Sequence, residues 1–309
     1  MLNARQFYAL SEPDPRRWPG MPTWLYLPVV VILALLCVAG AQIIGGFAMY
    51  LVFDFNIIHD SLDVLADPYK FTAFLLFSFL PVFLLTHWCL QLLERRGLST
   101  LGLQINSRTL KEIAIGLGAG LLMFTFAIIV MISLGYADQE NPLGGPAAMF
   151  GALLVFFGFL VQGAAEEVLL RGFILQIFGR MTSTWFAILF SSVLFAFIHG
   201  ANDSIDILPL INLCLFSVFA ALYTLKDASL WGICAIHGIW NWAQGNLFGM
   251  QVSGNDVTTA IVFDLKETGP DIWTGGTFGP EGGLIVSGLL VICILLFRVR
   301  KPEPVKKIG

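Results

Sequence analysis

Long apolar runs separated by short polar connections dominate the chain. Eight of these runs are long enough, or nearly long enough, to cross a bilayer, because a transmembrane helix needs about 20 predominantly apolar residues. The predicted spans are Trp24–Val52, Phe71–Leu93, Leu110–Leu134, Ala147–Ile177, Thr184–His199, Ile207–Leu225, Leu230–Phe248 and Gly283–Phe297. The pattern therefore predicts an all-α fold, a polytopic membrane helix bundle with about eight transmembrane helices.

The distribution of basic residues supports this number of spans. If both termini are cytoplasmic, fourteen of the 17 basic residues lie on the inner side, Lys70 and Lys266 lie outside, and Arg171 lies within a span. This imbalance follows the positive-inside rule. The sequence thus predicts a cytoplasmic polar leader at 1–23, a transmembrane domain at 24–298 and a basic cytoplasmic tail at 299–309.

Composition agrees with a membrane protein and narrows its partners. Hydrophobic residues make up 57% of the chain and charged residues only 12%, whereas a soluble domain has about 25% charged residues. The net charge of −4 gives no indication of a nucleic-acid partner. The five cysteines lie in apolar segments without the spacing of metal ligands. The lipid bilayer is the one partner that composition indicates.

The fourth apolar run carries three ionisable residues, Glu166, Glu167 and Arg171. Each such group at the centre of a bilayer costs roughly 2.5–3.5 kcal/mol on insertion scales. Glu167 and Arg171 are four positions apart and can pair on one helix face, whereas Glu166 is rotated by about 100° from that face. The spacing leaves Glu166 free for chemistry; a structural ion-pair cluster between helices is the alternative.

Two further spans each carry a pair of residues four positions apart, which places both side chains on one helix face. Phe195 and His199 are in the fifth span, and His237 and Asn241 are in the seventh. An imidazole and a carboxamide each offer an N–H group to an oxyanion or a water. Hydrogen bonding between helices is the structural alternative, worth about 0.6 kcal/mol on average in membranes.

Together these polar residues, which lie between positions 162 and 245, are suited to acid–base chemistry in a dry site. Burial brings the proton affinities of carboxylic acids and imidazoles closer together. A carboxylate and a histidine can then take a proton from a water that attacks a carbonyl carbon. The other two histidines, His59 and His87, have no polar companion at helical spacing and are interpreted as structural or interfacial.

Three motifs resemble those of the CPBP family (CAAX protease and bacteriocin-processing, also called Abi), which consists of intramembrane glutamic endopeptidases. The motif Glu-Glu-x-x-x-Arg is matched by Glu166, Glu167 and Arg171, Phe-x-x-x-His by Phe195 and His199, and His-x-x-x-Asn by His237 and Asn241. The three motifs occur in the family's order and on predicted spans. The resemblance extends over roughly residues 101–283 and includes the Gly-Gly-x-Phe-Gly-Pro-Glu-Gly stretch of the last long loop.

The resemblance implies a peptidase that hydrolyses a peptide or a membrane-protein substrate with no cofactor and no metal. It implies that Glu166 activates water with help from His199, and that His237 and Asn241 form an oxyanion hole. Glu167 and Arg171 would then be the structural pair of the same site. The resemblance also favours a bacterial inner membrane as the location.

Three other functions use the same residues. Zinc could be bound by Glu166, His199 and His237, although no His-Glu-x-x-His motif is present. An ion-coupled transporter or proton relay also places acids and histidines within spans, although no internal repeat is found here. A non-catalytic binding or immunity protein could hold a peptide in the same pocket without cleaving it.

The predicted topology contains one inconsistency of depth. His199 falls near the outer end of its span, whereas Glu166 and His237 fall in the inner halves of theirs. At a rise of 1.5 Å per residue the depths differ by roughly 10 Å. The glycine-rich stretch Gly249–Gly282 is interpreted as an external connecting loop, and a cover over the outer mouth of the bundle is the alternative.

Overall fold

The computed structural model describes residues 4–10, 21–54 and 61–299. The chain is 77% helical, with one small sheet among the described residues. This sheet pairs β1 (Ala137–Gln139) with β2 (Leu265–Glu267) in antiparallel orientation, with Ala137 opposite Glu267. The helices are α1 Ala4–Ala9, α2 Thr23–Phe53, α3 Ser61–Ala66, α4 Pro68–Glu94, α5 Thr109–Ser133, α6 Pro146–Glu167, α7 Gln176–Met181, α8 Thr184–Ile198, α9 Ile207–Asp227, α10 Trp231–Trp242, α11 Asp271–Thr274 and α12 Leu284–Val299.

The predicted membrane helix bundle is confirmed. Six helices of the described chain are long and apolar enough to cross a membrane, and they correspond to the first six predicted spans. The other two predicted spans are also helical but shorter: α10, which continues into a π-helical segment at Ala243–Leu247, and α12. Most of the predicted leader, His59 and nearly all of the basic tail lie outside the described residues.

The fourth predicted span is longer than its apolar run suggested. Its helix is continuous from Pro146 to Met181, which is 36 residues. At 1.5 Å per residue this is about 54 Å, well beyond the ~30 Å hydrocarbon core. Between α6 and α7 the helix widens into a π-helical segment, Val168–Leu175, whose eight residues are all buried. Such π-helical segments are frequent at functional sites, and this one begins directly after Glu167.

The expected 10 Å difference in depth between Glu166 and His199 is wrong. The long helix and α8 form a hairpin around Thr182 and Ser183, and the Ser183 hydroxyl accepts the backbone N–H of Phe186 at 3.2 Å. Glu166 and His199 are almost the same number of residues from this turn, so they lie at the same level along the two antiparallel helices. The predicted fourth span ended at Ile177, whereas the helix continues to Met181. This early boundary produced the expected difference in depth.

Glycines bring α10 close to its neighbours α5 and α6. A Cβ atom on Gly163 of α6 would lie 2.6 Å from the backbone nitrogen of Gly238, and one on Gly120 of α5 would lie 2.7 Å from the carbonyl oxygen of Ile236. Without a hydrophobic effect between helices in lipid, small residues allow the backbone contacts that drive helix packing. The sequence thus places His237 next to the acidic end of α6.

At the opposite end of the long helix, Glu94 is fully buried and joins three helices. It accepts a hydrogen bond from Tyr26 on α2 at 2.8 Å and one from Arg96 Nε at 2.5 Å, and it also pairs with Arg180 on α7. A buried carboxylate requires such partners, because an unpaired charge in an apolar interior is strongly unfavourable. This cluster fixes the end of the hairpin at which the long helix turns into α8, opposite the end that carries Glu166.

Candidate active site

The two adjacent glutamates of α6 have different surroundings. The Glu167 side chain is fully buried: its Oε1 accepts a hydrogen bond from His237 Nδ1 at 2.8 Å, and its Oε2 lies 3.1 Å from Arg171 Nε. The Glu166 side chain is 19% exposed, and its Oε2 makes no hydrogen bond to any described residue. Glu167 is therefore held by a cation and an imidazole, whereas one oxygen of Glu166 is free for another partner.

The two histidines direct the same nitrogen at Glu166. His199 Nδ1 lies 2.9 Å from the carbonyl oxygen of Phe195, which can only accept, so Nδ1 carries the hydrogen. His237 Nδ1 donates to the Glu167 carboxylate. Nε2 of each ring therefore carries a lone pair when the ring is neutral, and each Nε2 is 3.8 Å from Glu166 Oε2. Three atoms that can accept a proton therefore lie close together: Glu166 Oε2 and the Nε2 atoms of the two histidines.

Gln162 connects Glu166 to Asn241. The Gln162 Nε2 donates to Glu166 Oε1 at 2.5 Å, and the Gln162 Oε1 accepts from Asn241 Nδ2 at 2.9 Å. The carboxamide of Gln162 thus fixes the rotation of the Glu166 carboxylate. Since an amide nitrogen carries two hydrogens, Asn241 keeps one N–H beyond the one that it gives to Gln162.

Phe195 packs among the charged and polar side chains. The Arg171 guanidinium carbon is 4.7 Å from the centroid of its ring, which is a cation–π contact. The ring centroid lies 4.5 Å from that of His199 and 6.0 Å from that of His237. Phe195 therefore helps to shield Arg171 and supports both imidazoles.

Two cavities meet at this group of residues. The larger, of about 400 Å³, is lined mainly by apolar side chains of α2, α4, α6 and α8, and Glu166 and Gln162 form part of its wall. The smaller, of about 30 Å³, is lined by His237 together with Glu281 and Ser253 of the loop between α10 and α12. His199 and Asn241 line both cavities.

Among the described residues, no group of three or more His, Cys, Asp and Glu side chains is arranged to hold a metal ion. The zinc alternative for Glu166, His199 and His237 therefore has no support from the arrangement of these side chains. All six residues singled out from the sequence do lie in one cluster: Glu166, Glu167, Arg171, His199, His237 and Asn241.

Sequence reasoning assigned no role to three other residues of this site, Gln162, Ser253 and Glu281. Gln162 carried a usable signal, since it lies four positions before Glu166 and shares its helix face. Ser253 and Glu281 are in an irregular loop, where no periodicity links a residue to a helix face.

One family's sequence model, described as "Rce1-like: Type II CAAX prenyl endopeptidase Rce1-like", matches residues 148–243. No curated protein and no solved structure matches the chain. The matched stretch includes all three motifs and every site residue except Ser253 and Glu281 of the loop between α10 and α12. It indicates a protease, and hence a hydrolase, of the CAAX type in an integral membrane protein. The resemblance to the CPBP family is thus confirmed over residues 148–243, the part of the chain that the Rce1-like type II CAAX prenyl endopeptidase family covers.

Proposed function

We propose that the chain is an intramembrane endopeptidase that hydrolyses a peptide bond with water activated by Glu166 and His199, without a metal. One observation carries the proposal: Glu166 Oε2 is 3.8 Å from Nε2 of both His199 and His237 and accepts no hydrogen bond from a described residue. A water at this point can donate one hydrogen to the carboxylate and the other to an imidazole. This is the arrangement that a general base needs.

The reaction then has two steps. Glu166, with help from His199, takes a proton from the water as the water oxygen bonds to the substrate carbonyl carbon. The carbonyl oxygen becomes an oxyanion, to which the remaining N–H of Asn241 can donate. Collapse of this intermediate breaks the C–N bond, and the stored proton passes to the leaving amine. The products are a carboxylic acid and an amine.

His237 can assist the oxyanion in only one protonation state. Its Nδ1 hydrogen is held by Glu167, so a neutral ring has a lone pair and no hydrogen at Nε2. As an imidazolium, the same ring gains an N–H at Nε2. The Glu167 carboxylate stabilises that charged form, and Arg171 prevents Glu167 from being an unpaired buried charge.

The larger cavity supports a substrate with an apolar group next to the cleaved bond. Its α4 wall includes Phe71, Phe74 and Phe79, and it reaches Glu166 and His199. The matching family is described as a CAAX prenyl endopeptidase. A peptide whose lipid group lies in this cavity would present its backbone to Glu166, so we propose a lipidated or otherwise membrane-associated peptide or protein as the substrate.

The test uses purified protein in lipid nanodiscs with a farnesylated peptide that ends in a CAAX sequence, and mass spectrometry of the products. We expect Glu166→Gln and His199→Ala to abolish cleavage while remaining folded. The matched control is Glu112→Gln, because Glu112 accepts a hydrogen bond from Ser229 at 2.6 Å and lines neither cavity. For a different substrate, membrane peptides from cells with wild type and with Glu166→Gln are compared.

Three results would reject the mechanism. Equal product formation by wild type and Glu166→Gln would remove Glu166 from the chemistry. Loss of activity in a chelator, with recovery on adding zinc, would favour the metal alternative. Ion flux in liposomes that is abolished by Glu166→Gln, without any peptide product, would instead identify a transporter or proton relay.

A further inference from the structure

The loop between α10 and α12 contributes a third carboxyl group to the site. Glu281 lies in the short helical turn Pro280–Gly282 and lines the small cavity together with Ser253, His199 and His237. Glu166 lines only the large cavity and Glu281 only the small one, whereas His199 lines both. The two carboxyl groups thus lie in the walls of two adjoining cavities, and His199 lies in the wall of both.

Hydrogen bonds from α9 and α12 hold this turn in place. Asn212 Nδ2 donates to the backbone carbonyls of Glu281 at 2.8 Å and of Gly283 at 2.9 Å. Ser287 in turn donates to Asn212 Oδ1 at 2.6 Å, which fixes the orientation of the carboxamide. These bonds use the main chain of Glu281 and leave its side chain available to the cavity.

Only glycine fits at the position before the turn, because the loop backbone there lies very close to a neighbouring backbone segment. Gly279 has φ +95°, and a Cβ atom there would collide with the carbonyl oxygen of Gln251. The same carbonyl oxygen accepts a hydrogen bond at 2.5 Å from Nε2 of Gln244, in the π-helical segment that continues α10. The glycine-rich sequence therefore brings the Pro-Glu turn down onto the helix that carries His237.

The only hydrogen bonds that the structure shows for the Glu281 carboxyl come from Ser253. The Ser253 hydroxyl donates to Glu281 Oε1, and the backbone of Ser253 also contributes. No lysine or arginine among the described residues forms an ion pair with Glu281. Burial raises the pKa of the Glu281 carboxyl, which the Ser253 hydroxyl and the charges of His199 and His237 partly offset. A buried carboxyl without a cation therefore holds its proton more tightly than an exposed one does.

The cavity has room for water between these groups. Its volume of about 30 Å³ exceeds the roughly 10–15 Å³ that one water needs. Glu281, Ser253, Asn241 and the two imidazoles supply more than the two to four polar partners that a buried water requires. A proton can pass along such a chain from the carboxyl to an imidazole.

We propose that Glu281 is a positioning residue of the site, which gives a proton through water in the small cavity to His237 when the oxyanion forms. This inference rests on the proposed hydrolysis. The O–H bond of the carboxylic acid breaks, a new N–H bond forms on the imidazole, and the resulting carboxylate and imidazolium stabilise each other. The proton returns when the oxyanion collapses, so no further reactant is consumed. The other charged or titratable groups around His237 are Glu166, Glu167, Arg171 and His199.

The test compares Glu281→Gln, Glu281→Asp and the control Glu267→Gln with the farnesylated CAAX peptide in nanodiscs. Glu267 is a partly buried carboxyl of the same loop and lines neither cavity. We expect Glu281→Gln to lower kcat about 100-fold with little change in KM. This is the lower end of the 10²–10⁴-fold that a positioned acid typically contributes, because Glu281 acts through His237 and not on the substrate itself. The decline of wild-type kcat with rising pH, as Glu281 loses its proton, should vanish in Glu281→Gln and persist in Glu281→Asp and Glu267→Gln.

A measurement without substrate gives an independent answer. With ¹³C-labelled histidine, the midpoint of the His237 ring signal should move to lower pH in Glu281→Gln and stay unchanged in Glu267→Gln. The inference would be overturned if a folded Glu281→Gln protein kept the wild-type kcat, pH profile and His237 titration. It would also be overturned if Glu281→Gln and Glu281→Asp lost the same amount of kcat and both kept the wild-type pH profile. If Glu166→Gln is inactive while Glu281→Gln is normal, only this inference fails; if Glu166→Gln is active, the proposed function fails.

Discussion

Gly163 and Gly238 form a direct backbone contact between α6 and α10, and a Cβ atom on Gly163 would lie 2.6 Å from the Gly238 nitrogen. The reverse contact is equally close, since a Cβ atom on Gly238 would lie 2.7 Å from the Leu160 Cα atom. His237 directly precedes Gly238, and Glu167 is one helical turn beyond Gly163. The approach of two backbones thus produces the 2.8 Å hydrogen bond between these side chains.

We expect Gly163→Ala and Gly238→Ala to separate the two helices. The inserted methyl group meets backbone atoms that cannot rotate away, and overpacking of this kind costs about 1–3 kcal/mol. The matched control is Gly118→Ala on α5, where a Cβ atom would meet nothing within 4 Å. Thermal unfolding in detergent should show a lower midpoint for the first two variants and not for the third. Equal midpoints in all three would contradict the close contact.

Gln162 is expected to control the activity of Glu166 without doing chemistry itself. Gln162→Leu removes the donor to Glu166 Oε1 and the acceptor for Asn241, so both groups can rotate. Misplacement of a reacting group by about 1 Å can cost about 100-fold in rate. We expect kcat to fall 10-fold to 100-fold on the farnesylated peptide, and to fall further in Gln162→Glu, where two carboxylates face each other. A Gln162→Leu protein with wild-type kcat would show that Glu166 is oriented by other contacts.

The Glu167–Arg171 pair should behave as a unit. Both side chains are fully buried, and removal of one partner from a buried ion pair typically destabilises by about 3–5 kcal/mol because the other charge is left alone. Arg171→Met should therefore lose more stability than the double variant Glu167→Gln/Arg171→Met. In the double variant the glutamine oxygen can still accept the His237 hydrogen bond.

Unfolding free energies of the two single variants and the double variant form a complete cycle. If the single losses simply add up to the loss in the double variant, the two side chains do not stabilise each other.

Helix spacing and charge distribution predicted the bundle and the motif residues, because both properties are local in sequence. The i and i+4 spacing of Glu167 and Arg171 placed them on one face, and the 3.1 Å separation follows from this geometry. The depth of His199 could not be predicted in the same way. It depends on where the long helix turns back, and that helix ends at Met181, four residues beyond the end of the predicted span at Ile177.

The position of Glu281, in the loop between α10 and α12, could not be predicted from the sequence for a different reason. Glu281 lines the same small cavity as the histidines because of tertiary contacts such as those of Asn212, which is 69 residues away in the sequence. No period relates an irregular loop to a helix face. The glycines at 275, 276 and 279 indicated tight turns, but the direction of the Glu281 side chain depends on what those turns pack against.

The last prediction concerns the pH dependence of stability at the loop between α10 and α12. Burial raises the pKa of Glu267 on β2 to about 7, and the charge of Asp271 adds to the effect, while hydrogen bonds from Thr274 and Gly276 oppose it. In the unfolded chain the same carboxyl has its ordinary pKa of about 4.3. The folded state therefore binds the proton more tightly than the unfolded state does. The resulting stabilisation is complete below about pH 4.3, is lost as the pH rises through about 7, and does not change further above that.

Glu267→Gln keeps the shape of the side chain and cannot ionise, so it should remove this decrease. Thermal unfolding midpoints between pH 5 and pH 8 should fall more steeply for wild type than for Glu267→Gln. Glu140→Gln is the control, since Glu140 lies beside β1 and its side chain is 51% exposed. Glu281 also has a raised pKa and is present in all three proteins, so only the difference between their slopes reports on Glu267. If the unfolding midpoints of wild type and Glu267→Gln changed identically with pH, ionisation of this carboxyl would not destabilise the loop.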